Sequence, residues 1–204
     1  MNIHRITEND VVATFLKAEI NSSRWREHIL NALKHFGNDR SIIDQPDLHN
    51  KDQNISRTNI LGFYRGYKQN KWLFLNFPND MQWQKVYLDL EDIQRIRYLK
   101  QCLPWSELSG GTLLVADAAQ RIQAGSDFSR ETKEVLSGIL EAVEVLKSGQ
   151  SFPEVIIVAQ SAINQPVALE GHVRLTAYLL HSSIAQIPAI IGYSRNLLKW
   201  EEVW

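Results

Sequence analysis

The chain is short of cysteine, of long apolar runs and of net charge, and each shortage narrows what it can be. Cys102 is the single cysteine in 204 residues, so neither an internal disulfide nor a multi-cysteine zinc site can form. No apolar run approaches the ~20 residues that cross a bilayer as a helix. The segment from Met1 to Asp10 lacks the apolar centre of a secretory signal. The formal net charge is −1, so composition does not indicate a broadly basic nucleic-acid surface. His4, His28, His35, His49, His172 and His181 show no metal-ligand spacing. There is no internal repeat and no low-complexity tract. The expectation is a soluble, cytoplasmic protein with no membrane partner and no structural metal.

What remains is an ordinary globular composition. With 44% hydrophobic and 22% charged residues, a packed core is expected, in one domain or one domain with a helical extension. Six tryptophans point first to core packing and second to a binding surface. Apolar residues recur at helical spacing over 8–36, with a break at Asn21-Ser22-Ser23 and a stop at Gly37. Residues 38–58 are polar, contain Pro46, and predict a long loop or linker. The aromatic stretches 61–67 and 71–78 predict one or two strands. Asp89 predicts a cap for a helix over 90–100, and a short helix is expected near 115–124. Ser129 predicts the cap of a long helix over 130–148, stopped by Gly149.

The C-terminal region carries the chemistry. Glu154 to Ala159 is a continuous apolar strand, 166–169 a second short strand, and Pro188 to Tyr193 a third. Between the second and third lies Glu170-Gly171-His172-Val173-Arg174-Leu175-Thr176-Ala177-Tyr178, with a helix over 172–182. A strand ends in an acid, a glycine turns the chain, and a histidine and an arginine sit on the first turn of a helix. Free backbone N–H groups and the positive end of a helix dipole beside a fixed cation make an anion site.

These residues resemble the core of the ParB/sulfiredoxin-like superfamily. The likeness runs over about 130–193 and includes Phe152 to Val158, Val167 to Ala177 and Ile187 to Ile191. It implies an α+β fold: a small mixed sheet with helices over 59–204, preceded by an N-terminal helical extension and polar loop over 1–58. In characterised members the loop holds nucleotide phosphates: ATP in sulfiredoxin, CTP in ParB, ADP in a free-serine kinase. Gly171 matches the turn glycine and Arg174 the phosphate-binding arginine. His172 falls where sulfiredoxin has its catalytic cysteine, and Val173 where many members have a histidine. No thiol lies in the motif, so sulfinic-acid reduction is not expected. Thr176 stands where ParB has a basic residue, and no helix-turn-helix follows, so a partition-type DNA clamp is not expected.

The resemblance implies ATP, ADP or CTP with magnesium as cofactors, and a nucleotide or small phosphorylated ligand as partner. Gly171, Arg174 and Thr176 are the expected ligand-binding residues; His172 and Glu170 are the candidate catalytic pair. Arg174 can fork onto phosphate oxygens or pair with Glu170 or a carbonyl. His172 can act as a neutral base, bond a ligand, or pack under a loop. Glu170 can orient Arg174, hold magnesium or accept a proton, with orientation favoured. Thr176 can bond a ligand or a carbonyl one turn back. The turn from Trp105 to Thr112 can supply a second anion-binding edge or simply join helices. Arg65, Arg95 and Arg97, basic residues among aromatics, can serve a nucleobase or nucleic-acid stack or lie on solvated surface, with solvated surface favoured. Three readings stay open: a nucleotide- or phosphate-binding protein with phosphotransferase or hydrolase chemistry, a DNA-associated or nuclease-like protein, and a non-enzymatic interaction module. Nucleic acid is the less favoured partner.

Overall fold

The computed structural model describes residues 4–183 and 186–203. The chain opens with a short strand, β1 (His4–Ile6), then helices α1 (Glu8–Glu19), α2 (Arg26–His35), α3 (Ser41–Asp44) and α4 (Lys51–Arg65). Thr7 and Asp10 cap α1 reciprocally, each side chain bonded to the other's backbone N–H. A 3-10 turn at Trp72–Phe74 leads to β2 (Gln82–Leu88). Four helices follow: α5 (Leu90–Gln94), α6 (Leu103–Leu108), α7 (Val115–Gln123) and α8 (Arg130–Lys147). Then come β3 (Val155–Ala159), β4 (Val167–Glu170), α9 (His172–His181), β5 (Ile187–Tyr193) and a second 3-10 turn at Leu197–Lys199.

The strands form one mixed sheet in the order β1-β2-β5-β3-β4, within an α+β fold. The β3–β5 pair is parallel and the other three pairs are antiparallel. Because strand side chains alternate between faces, neighbours along each strand enter different cores. Ile156, Val158, Val167, Leu169, Ile190 and Trp83 face a cluster built by α1 to α4. Val155, Ile157, Ala168, Ala189, Ile191 and Leu88 face a cluster built by α5 to α9. Helical layers therefore cover both faces. This is why all five residues of β3 are buried and why its sequence reads as an unbroken apolar run. Fully burying each Val or Ile is worth about 1.5–3 kcal/mol.

The polar stretch 38–58 is where structure and sequence reading part. It holds α3 and the first half of α4, so the boundary drawn at 58/59 falls inside a helix. Asn50 caps α4 by accepting from the Gln53 N–H, and Gly66 ends it at φ +82. The stretch looks like a loop because its helix buries polar groups. Arg57 is fully buried and donates to the carbonyls of Ile42 and Asp47, each at 3.0 Å. Residues 61–65, expected as strand, complete α4, and 71–78 holds a 3-10 turn. The expected extension is a layer of the core, with β1 paired to β2 and α1 packed on the sheet.

Candidate functional site

The β4–α9 turn is built around Gly171. Its φ of +101° lies in the left-handed region, and a Cβ there would stand 2.7 Å from Cγ1 of Val155 on β3. Both the angle and the close approach call for glycine. Helical side chains lean back toward the N-terminus, so Arg174, one turn in, reaches back over the start of its own helix. Its guanidinium pairs with the Glu170 carboxylate and donates to the carbonyls of Pro153 and Glu154, the latter at 3.2 Å. One buried cation thus ties the entrance of β3, the end of β4 and the first turn of α9 together. Glu170 takes the orienting role, and the fork of Arg174 is turned inward, at 8% exposure.

His172 packs its ring against two aromatics. The Trp105 centroid lies at 5.3 Å and that of Tyr98 at 5.7 Å, both near-parallel. Its Nε2 accepts from the Leu99 N–H at 3.3 Å, which assigns the proton of the neutral ring to Nδ1. Burial, and then the charges of Arg65, Arg24 and Arg174, push its pKa down to about 3. The direction matches that expected from the helix dipole, but enclosure is the larger cause. An imidazole so weakly basic is an acceptor and a wall at neutral pH, poorly matched to general-base work. Thr176 is fully buried and donates to the His172 carbonyl one turn back at 2.9 Å. With that proton engaged, the Tyr98 hydroxyl is the donor in its 2.6 Å bond to Thr176. Thr176 therefore lies beneath the turn and does not face its surface.

Across from the turn stands a group that sequence reasoning missed. Glu19, at the end of α1, is 3% exposed and accepts from the Tyr64 hydroxyl at 2.7 Å and from both Nε and Nη2 of Arg65. Burial raises the Glu19 carboxyl, Arg65 pulls it back, and the charge of Glu170 raises it further. Two carboxylates thus sense each other across the seam between the N-terminal layer and the motif. The Arg65 guanidinium lies 3.7 Å from the centroid of the Trp25 ring, and that of Arg24 lies 4.8 Å from it. Arg65 is therefore half-buried and paired, in place of the solvated residue expected. Its partner is 46 positions away in sequence, which no spacing rule reports.

Arg24 differs from the other two arginines. It is exposed, and no carboxylate lies within ion-pair distance of it among the described residues. The other candidate edge closes on itself. Ser109 donates to Trp105, Thr112 to Ser109, and the N–H groups of Gly110 and Gly111 to Glu107 and Ser106. No group of three metal-ligating side chains occurs among the described residues, and Glu170 and Glu19 are both directed at arginines. The seam's carboxylates therefore do not fit a protein-held magnesium ion. A cavity of 10 Å³, lined by Val12, Phe15, Leu61, Phe74 and Leu169 among others, lies in the apolar core under α1 and has room for about one water. No described helix is long and apolar enough to cross a membrane. Comparison with protein-family models, curated proteins and solved structures gives no match to this chain.

Proposed function

We propose that the protein binds a nucleotide or another phosphorylated ligand at the seam beside the β4–α9 turn, as the resemblance to ParB/sulfiredoxin-like proteins implies. The supporting observation is the set of arginines: Arg24 and Arg65 lie over the Trp25 ring at 4.8 and 3.7 Å, and Arg174 holds the first turn of α9. Two of the three are matched by Glu19 and Glu170, and Arg24 supplies the unmatched cation. In this reading Arg24 contacts the phosphate, while Arg174 and Glu170 position the turn. His172 and Trp105 form the wall beside it. ATP, ADP and CTP are the proposed ligands, with any magnesium arriving on their phosphates. The proposal is of binding, because His172 is neutral and too weakly basic for general-base work near neutral pH.

A second reading, a non-enzymatic interaction module, draws on one observation: the inward fork of Arg174, which makes the motif a structural clasp. A thermal-shift series with ATP, ADP, CTP, GTP, pyrophosphate and phosphate, with and without magnesium, separates the two. Binding at a hundredfold excess over Kd stabilises by about 2.7 kcal/mol. The expected result is a rise in Tm for the wild type that Arg24→Ala loses. A flat response to every ligand removes the binding reading and leaves the module.

A further inference from the structure

We propose that Trp72 is the anchor of a docking loop over 66–76, fitted to a partner polypeptide that offers a ring-sized pocket with an acidic rim. The inference does not depend on what the β4–α9 turn binds. Trp83, Trp105 and Trp200 are buried in the two cores, whereas Trp72 is 63% exposed. Its backbone is also unusual. Trp72 has φ +48°, and Lys68, Asn70 and Asn76 are left-handed too, at +58°, +53° and +58°. Asparagine visits that region readily; a bulky aromatic residue does so at a cost. Glycine at this position would carry neither the strain nor an exposed indole. Stability therefore does not account for Trp72, and strained residues that the fold does not require cluster at binding and switch regions.

The loop is held rigidly. Gly66 turns at φ +82°, and a Cβ there would run into the Lys71 carbonyl. The Asn70 side chain accepts the Asn76 N–H at 2.6 Å. Leu73 and Phe74 are buried, with Phe74 edge-on to Tyr67 and Phe77. The Trp200 indole N–H donates to the Leu73 carbonyl at 2.7 Å, which ties the second 3-10 turn, with exposed Leu198 and Lys199, to the first. A ring presented on a fixed backbone loses little freedom on entering a shaped pocket, and tryptophan is among the residues most enriched at binding hot spots. A bilayer surface asks for no fixed direction and is gripped by several apolar side chains together. The charge points to the pocket's rim. The loop and the adjoining turn carry Lys68, Lys71 and Lys199 and no acid. Lys68 pairs with Glu8 at 2.6 Å, while Lys71 and Lys199 are exposed and make no ion pair among the described residues. Carboxylates around the partner's pocket complement those ammonium groups.

The test is selection of random phage-displayed peptides on the full chain, with counter-selection on its Trp72→Gly variant. The expected peptides carry Asp or Glu beside apolar residues. Once synthesised, they should bind Trp72→Gly about thirtyfold or more weakly, the loss given by a hot-spot residue. Against Lys71→Ala the loss should be about fivefold, the factor for one charge contact in water. The Tm of Trp72→Gly should meanwhile rise, or fall by no more than about 4 °C. A larger fall assigns Trp72 to the fold and overturns the proposal. Peptides that lack acids, peptides that bind Trp72→Gly equally well, and an empty selection each overturn it too. Sedimentation with vesicles of phosphatidylcholine and phosphatidylglycerol, and titration of a fluorescent single-stranded thymidine oligonucleotide, complete the series. Trp72-dependent binding to either puts a lipid surface or a nucleic-acid strand in the partner's place and overturns the polypeptide.

Discussion

The two helical layers cover the same sheet by different means. The layer of α5 to α9 is joined to the sheet by a continuous local motif, in which Glu170, Gly171 and Arg174 lie within five positions and clasp β3, β4 and α9. The layer of α1 to α4 is held by side chains far apart in sequence, such as Glu19 with Tyr64 and Arg65, and by strand β1 beside β2. One layer is specified locally and the other by tertiary context. The seam between them is where the three arginines gather.

Removing residues 1–58 should break the comparison most severely. It deletes β1, α1 to α3 and half of α4, and exposes Ile156, Val158 and Leu169 on the sheet. The expected product is insoluble or lacks a cooperative transition in calorimetry; a folded remainder would show that the second layer stands alone. Next in size is Arg174→Ala, which removes a buried guanidinium and leaves the half-buried Glu170 carboxylate unpaired. Such losses cost about 3–5 kcal/mol, measurable by urea unfolding, and the neutral pair Glu170→Gln with Arg174→Met should recover much of it. Gly171→Val adds a strained φ and a contact with Val155, for about 3 kcal/mol. At about 2–4 °C per kcal/mol for a chain of this size, Tm should fall by roughly 6–12 °C.

Acid titration sharpens the contrast, because the layers respond with opposite sign. His172 has a folded pKa near 3 against an ordinary 6.5, so the folded state binds fewer protons between those values. Its contribution is complete above pH 6.5 and is lost as pH falls toward 3. Glu19 is raised above its ordinary 4.5, so stability falls as pH rises through the window just above that value. Urea midpoints across pH 3–7 should rise less steeply with pH in His172→Gln and more steeply in Glu19→Gln. The smallest expected effect on stability is that of Arg24→Ala. At an exposed side chain it should stay within about 0.5 kcal/mol, while any phosphate-induced rise in Tm disappears.

The sequence was most legible where local physics decides the outcome. Ser129 caps α8 as its spacing predicts, and β3, β4, α9 and β5 lie within a residue or two of their expected bounds. An apolar run buried on both faces and a glycine required at φ +101° are strong local signals. Strand β2 was not read, although Trp83 and Leu88 enter opposite cores. Its intervening residues are exposed or half-buried, so no clean alternation marks it. In α4 the buried Arg57 and Asn54 carry the polarity of a loop, and the aromatics near its end carry that of a strand. At the site, Gly171, Glu170, His172 and Arg174 were legible as neighbours. Glu19, Arg24 and Arg65 were not, because only the packing of the two layers brings them there.

The strand order has a consequence for how the chain is made. β2 ends at Leu88, and its inner neighbour β5 begins at Ile187, roughly a hundred residues later. At ribosomal speeds of ~5–20 residues per second, that gap lasts about 5–20 s. Until it closes, the first four helices present Phe15, Leu16, Ile29 and Ile60 to a sheet that does not yet exist. Nascent chains of this protein should therefore depend on chaperone protection during the second half of translation.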